Sequence, residues 1–177
     1  MSGAGGAMRT LVVYYGRSGS TAMIAAALAR SVEATMRELA DWTPGSVISA
    51  ALNILQPRRS TGRFTQQYDL AGYDTVVLLT PVQSGHPPVT AGMFLRRAHL
   101  RDKRLLIVAV GANVENRRAV DRLERQALFA GASLLGVRQV CGAHVYEKSA
   151  PCPTPEELSQ IGVQLAELLE RARNREE

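Results

Sequence analysis

Aromatic residues are scarce in this chain: one tryptophan, three phenylalanines and five tyrosines make up 5% of its 177 residues. Few rings leave few platforms on which successive bases can stack. Lysine is nearly missing as well. Lys103 and Lys148 are the only two among 21 basic residues, so arginine carries the formal net charge of +5. The arginines are spread along the sequence, with short clusters at Arg58, Arg59 and Arg63, at Arg96, Arg97 and Arg101, and at Arg117, Arg118, Arg122 and Arg125. Nucleic-acid binders gather basic residues on one face, so no nucleic-acid partner is expected. Cysteine is limited to Cys141 and Cys152. Two thiols with no third ligand at suitable spacing make neither a disulfide framework nor a metal site, and no metal is expected. No apolar run approaches the roughly 18 residues of a membrane span. Residues 1–8, MSGAGGAM, lack an apolar signal core and read as a flexible tail, which makes the cytoplasm the expected location.

What is present is a large apolar fraction, 46%, enough to bury the core of one domain, expected over residues 9–174. β-Branched and aromatic residues predict a first strand over residues 9–15. An Ala- and Leu-rich helix is predicted to start near Ser20 or Thr21. Residues 35–39 read as a short edge strand, with a long helix through Ala40 as the rival. Residues 44–55 read as a helix ended by Pro57. Residues 56–67 read as a polar, arginine-bearing excursion, a lid or an interface if it is not simply a surface loop. Continuous apolar runs over 73–80 and 103–111 suit parallel strands buried on both faces. A short helix is predicted between them, and another after Gly111 with Val120, Leu123 and Ala127 as its apolar positions. A weaker strand signal covers residues 134–142. The last helix has Thr154 as N-cap, Pro155 at its first position and Glu157 placed for a capping box, then a stripe of Leu158, Ile161, Leu165 and Leu168.

Strands and helices thus alternate five times, which predicts an α/β fold with helices on both faces of a parallel sheet. Ligands of such sheets sit beyond the carboxyl ends of the strands, where the strand order reverses. The loops after Tyr15, Thr80 and Val110 therefore carry the candidate site. In the first, Gly19 offers backbone freedom, while Ser18, Ser20 and Thr21 offer hydroxyls beside the N–H groups of a helix start, with Arg17 adjoining. This combination suits a phosphate monoester. The Lys-Ser/Thr pair of a triphosphate loop is absent, as is the G-x-G-x-x-G dinucleotide pattern. In the second loop, Pro81, Val82, Gln83, Ser84, Gly85, His86, Pro87 and Pro88 combine stiffness with a glycine that lets backbone approach a ligand. Backbone groups there are able to read the edge of a planar heterocycle. His86 reads as a solvent-facing loop residue. The third loop opens with Gly111, Ala112 and Asn113, small enough at its start to lie against the same ring.

Tyr15 to Thr21, YGRSGST, resembles the Y-S-R-T-G-N-T loop of flavodoxin-like bacterial proteins. Leu79 to Pro88, LTPVQSGHPP, resembles their G-x-P-V-W-x-G-x-P-x-P loop, and the DLAGYD lead-in at residues 69–74 is also similar. The resemblance covers roughly residues 9–142. It implies a three-layer flavodoxin-like fold, a five-stranded parallel sheet in order 2-1-3-4-5, and FMN as cofactor. It also implies phosphate held by Arg17, Ser18, Gly19, Ser20 and Thr21. The isoalloxazine ring would lie between Pro81, Val82, Gln83, Ser84, Gly85 and the Gly111, Ala112, Asn113 turn. Two positions depart from the pattern. Gly16 stands where the family has Ser or Thr, and Gln83 stands where it has tryptophan, which opens room over the ring.

The expectation is an FMN-dependent oxidoreductase, a two-electron reductase or oxidase acting on a planar organic or quinone-like substrate. The alternatives are a flavodoxin-type electron carrier, or a member that has lost FMN and binds small molecules or catalyses a non-redox reaction. Electron-carrying flavodoxins are usually acidic, which guides them to basic partners, and this chain has the opposite sign. The expected partners are a small-molecule substrate or a redox partner protein, with a homodimer as a further possibility. No catalytic side chain is singled out.

Overall fold

The computed structural model describes residues 9–16, 19–39, 68–82, 85–111, 116–142 and 153–173, except the Arg173 side chain. The tail at 1–8, the helix expected over 44–55 and the excursion at 56–67 lie outside the described residues. So do Arg17, Ser18, Gln83, Ser84, Ala112 and Asn113.

Five strands form one sheet: β1 (Thr10–Tyr14), β2 (Thr35–Glu38), β3 (Thr75–Pro81), β4 (Arg104–Gly111) and β5 (Ser133–Cys141). Their order is β2-β1-β3-β4-β5, and every pairing is parallel. The sequence reading gave these strands to within two residues at each end. The helical rival for residues 35–39 is displaced because Leu11 to Tyr14 pair with Thr35 to Glu38.

Burial on both faces explains why β3 and β4 read as unbroken apolar runs. On one face Leu11, Val13, Val76, Leu78, Leu105 and Ile107 pack against α2 (Val89–Arg97) and α3 (Arg117–Phe129) through Phe94, Leu95, Leu123 and Ala127. On the other, Val12, Val77, Leu79, Leu106 and Val108 meet α1 (Ser20–Ser31) and α4 (Pro155–Arg173) through Ile24, Leu28, Leu165 and Leu169. Successive residues of a strand serve opposite layers, as its period of two requires. The α4 stripe is wider than expected, because Ala166 and Leu169 join Leu158 and Leu165 in the core.

The α4 capping box forms in both directions. The Thr154 N–H donates to Glu157 Oε2 at 2.7 Å, and the Glu157 N–H donates to Thr154 Oγ1 at 3.2 Å. Farther along α4, Gly162 lies flat against α1. A Cβ at that position would stand 2.6 Å from both the Ala27 Cβ and the Ile24 carbonyl oxygen. Both sheet edges are protected. β2 has four residues, and β5 shifts register between Leu105 and Leu106, with Gly136 in the left-handed region at φ 144°. Short and bulged edges resist pairing with another chain.

Candidate functional site

The order reverses at β1 and β3, and the loops after β1, β3 and β4 leave neighbouring strands on the same edge. Strands about 4.8 Å apart place the three loop bases within roughly 10 Å of one another. Backbone bonds fix each exit. The Tyr15 N–H donates to the Leu79 carbonyl at 3.0 Å, the Val82 N–H to Val110 at 2.7 Å, and the Gly142 N–H to Gly111 at 2.9 Å.

The first loop leads into α1 through Gly19, whose own φ is −9°, outside the left-handed region. The freedom expected of Gly19 is therefore not used for a positive φ, and a Cβ there would meet nothing within 4 Å. Among the described residues no side-chain hydrogen bond caps α1, and its first turn holds no acidic residue. The first helical backbone bond among the described residues runs from the Met23 N–H to the Gly19 carbonyl, and the N–H groups of a helix's first turn lie at its amino-terminal end. Their positive end faces the loop.

Thr21 adds a second, independent observation. Its side chain is fully buried, yet Oγ1 has no hydrogen-bond partner among the described residues. An unmade bond to a buried hydroxyl costs about 1–3 kcal/mol, a cost that Thr75 Oγ1 at the start of β3 also bears, and at Thr21 an acceptor would have to come from outside the described residues. Ser20 is buried beside it. Gly16 lies directly over this hydroxyl: a Cβ on Gly16 would be 3.0 Å from Thr21 Cβ and 3.4 Å from Oγ1. The residue that departs from the family pattern is thus the one that leaves Thr21 room.

Pro81 and Gly111 end their strands buried in the sheet. Val82 is buried as well and spends its N–H on β4. It sets where the second loop leaves the sheet rather than offering a donor. Gly85 has φ 77°, so the tight turn expected of it is present, and a Cβ there would lie 3.9 Å from Asn116 Oδ1. Asn116 precedes α3, and its N–H donates to Gln139 Oε1 on β5 at 3.2 Å. Asn116 and Gln139 therefore tie the start of α3 to β5, with Gly85 of the second loop close by. Sequence reasoning missed both, although the alternation of β5 places Gln139 on the same face as Val137. Removing the acceptor with Gln139→Leu should speed hydrogen exchange of the Asn116 amide about fivefold, the equivalent of one neutral hydrogen bond. Amide exchange followed by NMR reads this directly.

At the flank, the Tyr14 hydroxyl meets the carboxylate of its partner in register, Glu38. Burial first, and then that carboxylate, push the Tyr14 phenol above its ordinary value of 10.0. The neutral phenol is the form the fold favours. No group of three or more His, Cys, Asp or Glu side chains able to hold a metal occurs among the described residues.

No protein-family profile matches the sequence, and no curated protein matches it. Solved structures do. A flavodoxin, WrbA-like protein from Agrobacterium tumefaciens superposes with a TM-score of 0.60 at 19% identity, over 95% of this chain and 99% of that one. Flavodoxin 2 from Bacillus cereus gives 0.58 at 18% identity, over 92% and 98%. A flavoprotein from Lactobacillus acidophilus, solved in complex with FMN, gives 0.52 at 20% identity, over 75% and 93%. The structures it resembles are flavodoxin-like flavoproteins, and the strand order 2-1-3-4-5 is theirs.

Proposed function

From a flavodoxin-like fold as premise, we propose that this protein is an FMN-dependent oxidoreductase that adds or removes two electrons at a planar, quinone-like organic substrate. The observation that carries the cofactor is Thr21 Oγ1, a buried hydroxyl with no partner among the described residues, at the uncapped start of α1. A phosphate at that point supplies the missing acceptor and meets the positive end of the helix. The FMN complex of the Lactobacillus acidophilus flavoprotein supports the same choice.

Ser18, Ser20, Thr21 and the N–H groups around Gly19 would hold the phosphate, with Arg17 adding charge. Pro81, Val82, Gln83, Ser84 and Gly85 would flank one side of the ring, and Gly111, Ala112 and Asn113 the other. Bound FMN supplies the acceptance and delivery of electron pairs; the protein supplies position and exclusion of water. Gln83 in place of an aromatic residue removes a stacking partner and would leave the ring accessible to a second planar molecule. Gln83→Trp is expected to tighten FMN binding and to slow turnover of bulky substrates.

Gly16 qualifies the phosphate site. Gly16→Ser adds a hydroxyl, but its Cβ presses on the Thr21 side chain at 3.0 Å. The gain in FMN affinity should fall short of the roughly tenfold or more that a charge-assisted bond brings. Stability should drop by about 1 kcal/mol from overpacking. Fluorescence titration and thermal melts read the two effects separately.

A second reading, a flavodoxin-type electron carrier, is favoured by the likeness to Flavodoxin 2 of Bacillus cereus. The net charge of +5 weighs against it, since acidic carriers meet basic partners. Purified protein incubated with FMN and then desalted should keep the visible flavin band and oxidise NADH or NADPH when a quinone is added. Retained flavin without quinone-dependent turnover selects the carrier. Flavin lost on desalting overturns both readings.

A further inference from the structure

The charged residues are not shared evenly between the two helical layers. The outer face of α4 carries exposed Glu156, Glu157, Glu167 and Glu170 with Arg171, paired to Glu167, as the exposed base among them. The α2/α3 layer sets the exposed acids Asp102, Asp121 and Glu124 against a larger number of arginines. On the α2/α3 layer, Arg118, Arg122, Arg125 and Phe129 follow each other at intervals of four, three and four residues and make one exposed stripe. Clusters that look scattered in the sequence thus share a layer.

Arg96, Arg97, Arg101 and Arg125 lie toward the amino-terminal edge of the sheet, the pole opposite the candidate site, whereas Arg117 and Arg118 open α3 at the other end. Arg96 and Arg97 form the last turn of α2. Arg101 packs its Cα and Cβ beside Gly131, just past the end of α3. Arg125 lies one turn before Phe129 on the same stripe. All four arginines are exposed, and none forms an ion pair among the described residues. Phe129 is 94% exposed, more than any other large hydrophobic residue described, and Leu128 beside it is 56% exposed. Cations at a helix C-terminus favour its dipole, which accounts for Arg96 and Arg97 as structural residues. It gives no reason for a phenylalanine standing free in water among them.

We propose that this pole, made of Arg96, Arg97, Arg101, Arg125, Leu128 and Phe129, docks on an anionic membrane surface. Arginine stems reach headgroup phosphates while their charges stay hydrated. Phe129 and Leu128 project from the surface instead of lining a groove, a shape suited to the headgroup–acyl boundary. A single ring offers no repeated platform for bases, which favours the lipid surface over a nucleic acid. The candidate site, at the other pole, stays open to water when the protein is docked.

The test is flotation of the purified full chain with vesicles of phosphatidylcholine alone or with about 30% phosphatidylglycerol. Binding is expected only to the anionic vesicles, with a loss of at least tenfold between about 50 mM and 0.5 M salt. Phe129→Ser should lower partitioning about tenfold, the loss of one buried apolar side chain. Arg97→Glu with Arg101→Glu should abolish it, at about fivefold or more for each charge. Glu167→Gln on the opposite layer should leave it unchanged. All these positions are exposed, and circular dichroism checks that each variant is folded. The proposal is overturned if anionic vesicles do not bind the protein. Undiminished binding by Phe129→Ser, or duplex DNA competing the protein off the vesicles in a way that ignores Phe129, overturns it equally.

Discussion

Thr21→Val should make the cofactor-free protein more stable and its FMN binding weaker. Opposite signs are expected because Thr21 Oγ1 is buried with no partner among the described residues. Exchanging that hydroxyl for a methyl group of similar shape removes an unsatisfied polar atom, a gain of about 1–2 kcal/mol in the apo protein. The same exchange deletes one charge-assisted bond to phosphate, worth about 1.5–3 kcal/mol, or roughly 10- to 150-fold in Kd. Thermal melts without FMN and fluorescence titration with it give the two numbers. A variant less stable than the parent would mean that the hydroxyl already has a protein acceptor. Unchanged affinity would remove Thr21 from the phosphate site.

Gly162→Ala should be among the most damaging single substitutions in the chain. The new Cβ would stand 2.6 Å from the Ile24 carbonyl oxygen and 2.9 Å from the Leu28 nitrogen. Both are backbone atoms of α1 and cannot rotate aside, so the helices must separate. Overpacking of this kind costs about 3 kcal/mol or more, a fall in Tm of roughly 6–12 °C for a domain of this size. Gly92→Ala is the control. Its nearest neighbour is the Gln126 side chain at 3.3 Å, which can move, and the helix gains up to about 1 kcal/mol of propensity. That variant should melt within a few degrees of the parent. Ala27→Gly should relieve only part of the Gly162→Ala defect, because the Ile24 carbonyl remains in the way.

These effects also show what sequence patterning conveys and what it does not. The runs of β3 and β4, the capping box of Thr154 and Glu157, and the tight turn at Gly85 are local signals, and the structure has each of them. The strand order came from the resemblance rather than from periodicity, since periodicity does not say which strands are neighbours. Gly162 read as an unremarkable member of a helical stretch. Its role depends on Ala27, which the sequence places far away. Gln139 and Asn116 were missed for the same reason: a half-buried amide on an edge strand has no local signature until its partner across the sheet is known. Gly16 was legible as a lost hydroxyl but not as the space above Thr21. Arg96, Arg97, Arg101 and Arg125 were legible as charge, not as neighbours at one pole.

The close crossing of α1 and α4 has a consequence for the order of events during synthesis. α1 would bring the phosphate end of the proposed site, but its placement depends on a helix translated long after it. When β1, α1 and β3 have left the ribosome, the partner that pins α1 through Gly162 has not yet been made. At that point the nascent chain has the residues of the first loop before it has the contact that places them. The arrangement of the proposed phosphate end thus waits for α4, a contact between distant parts of the chain of the sort that slows folding.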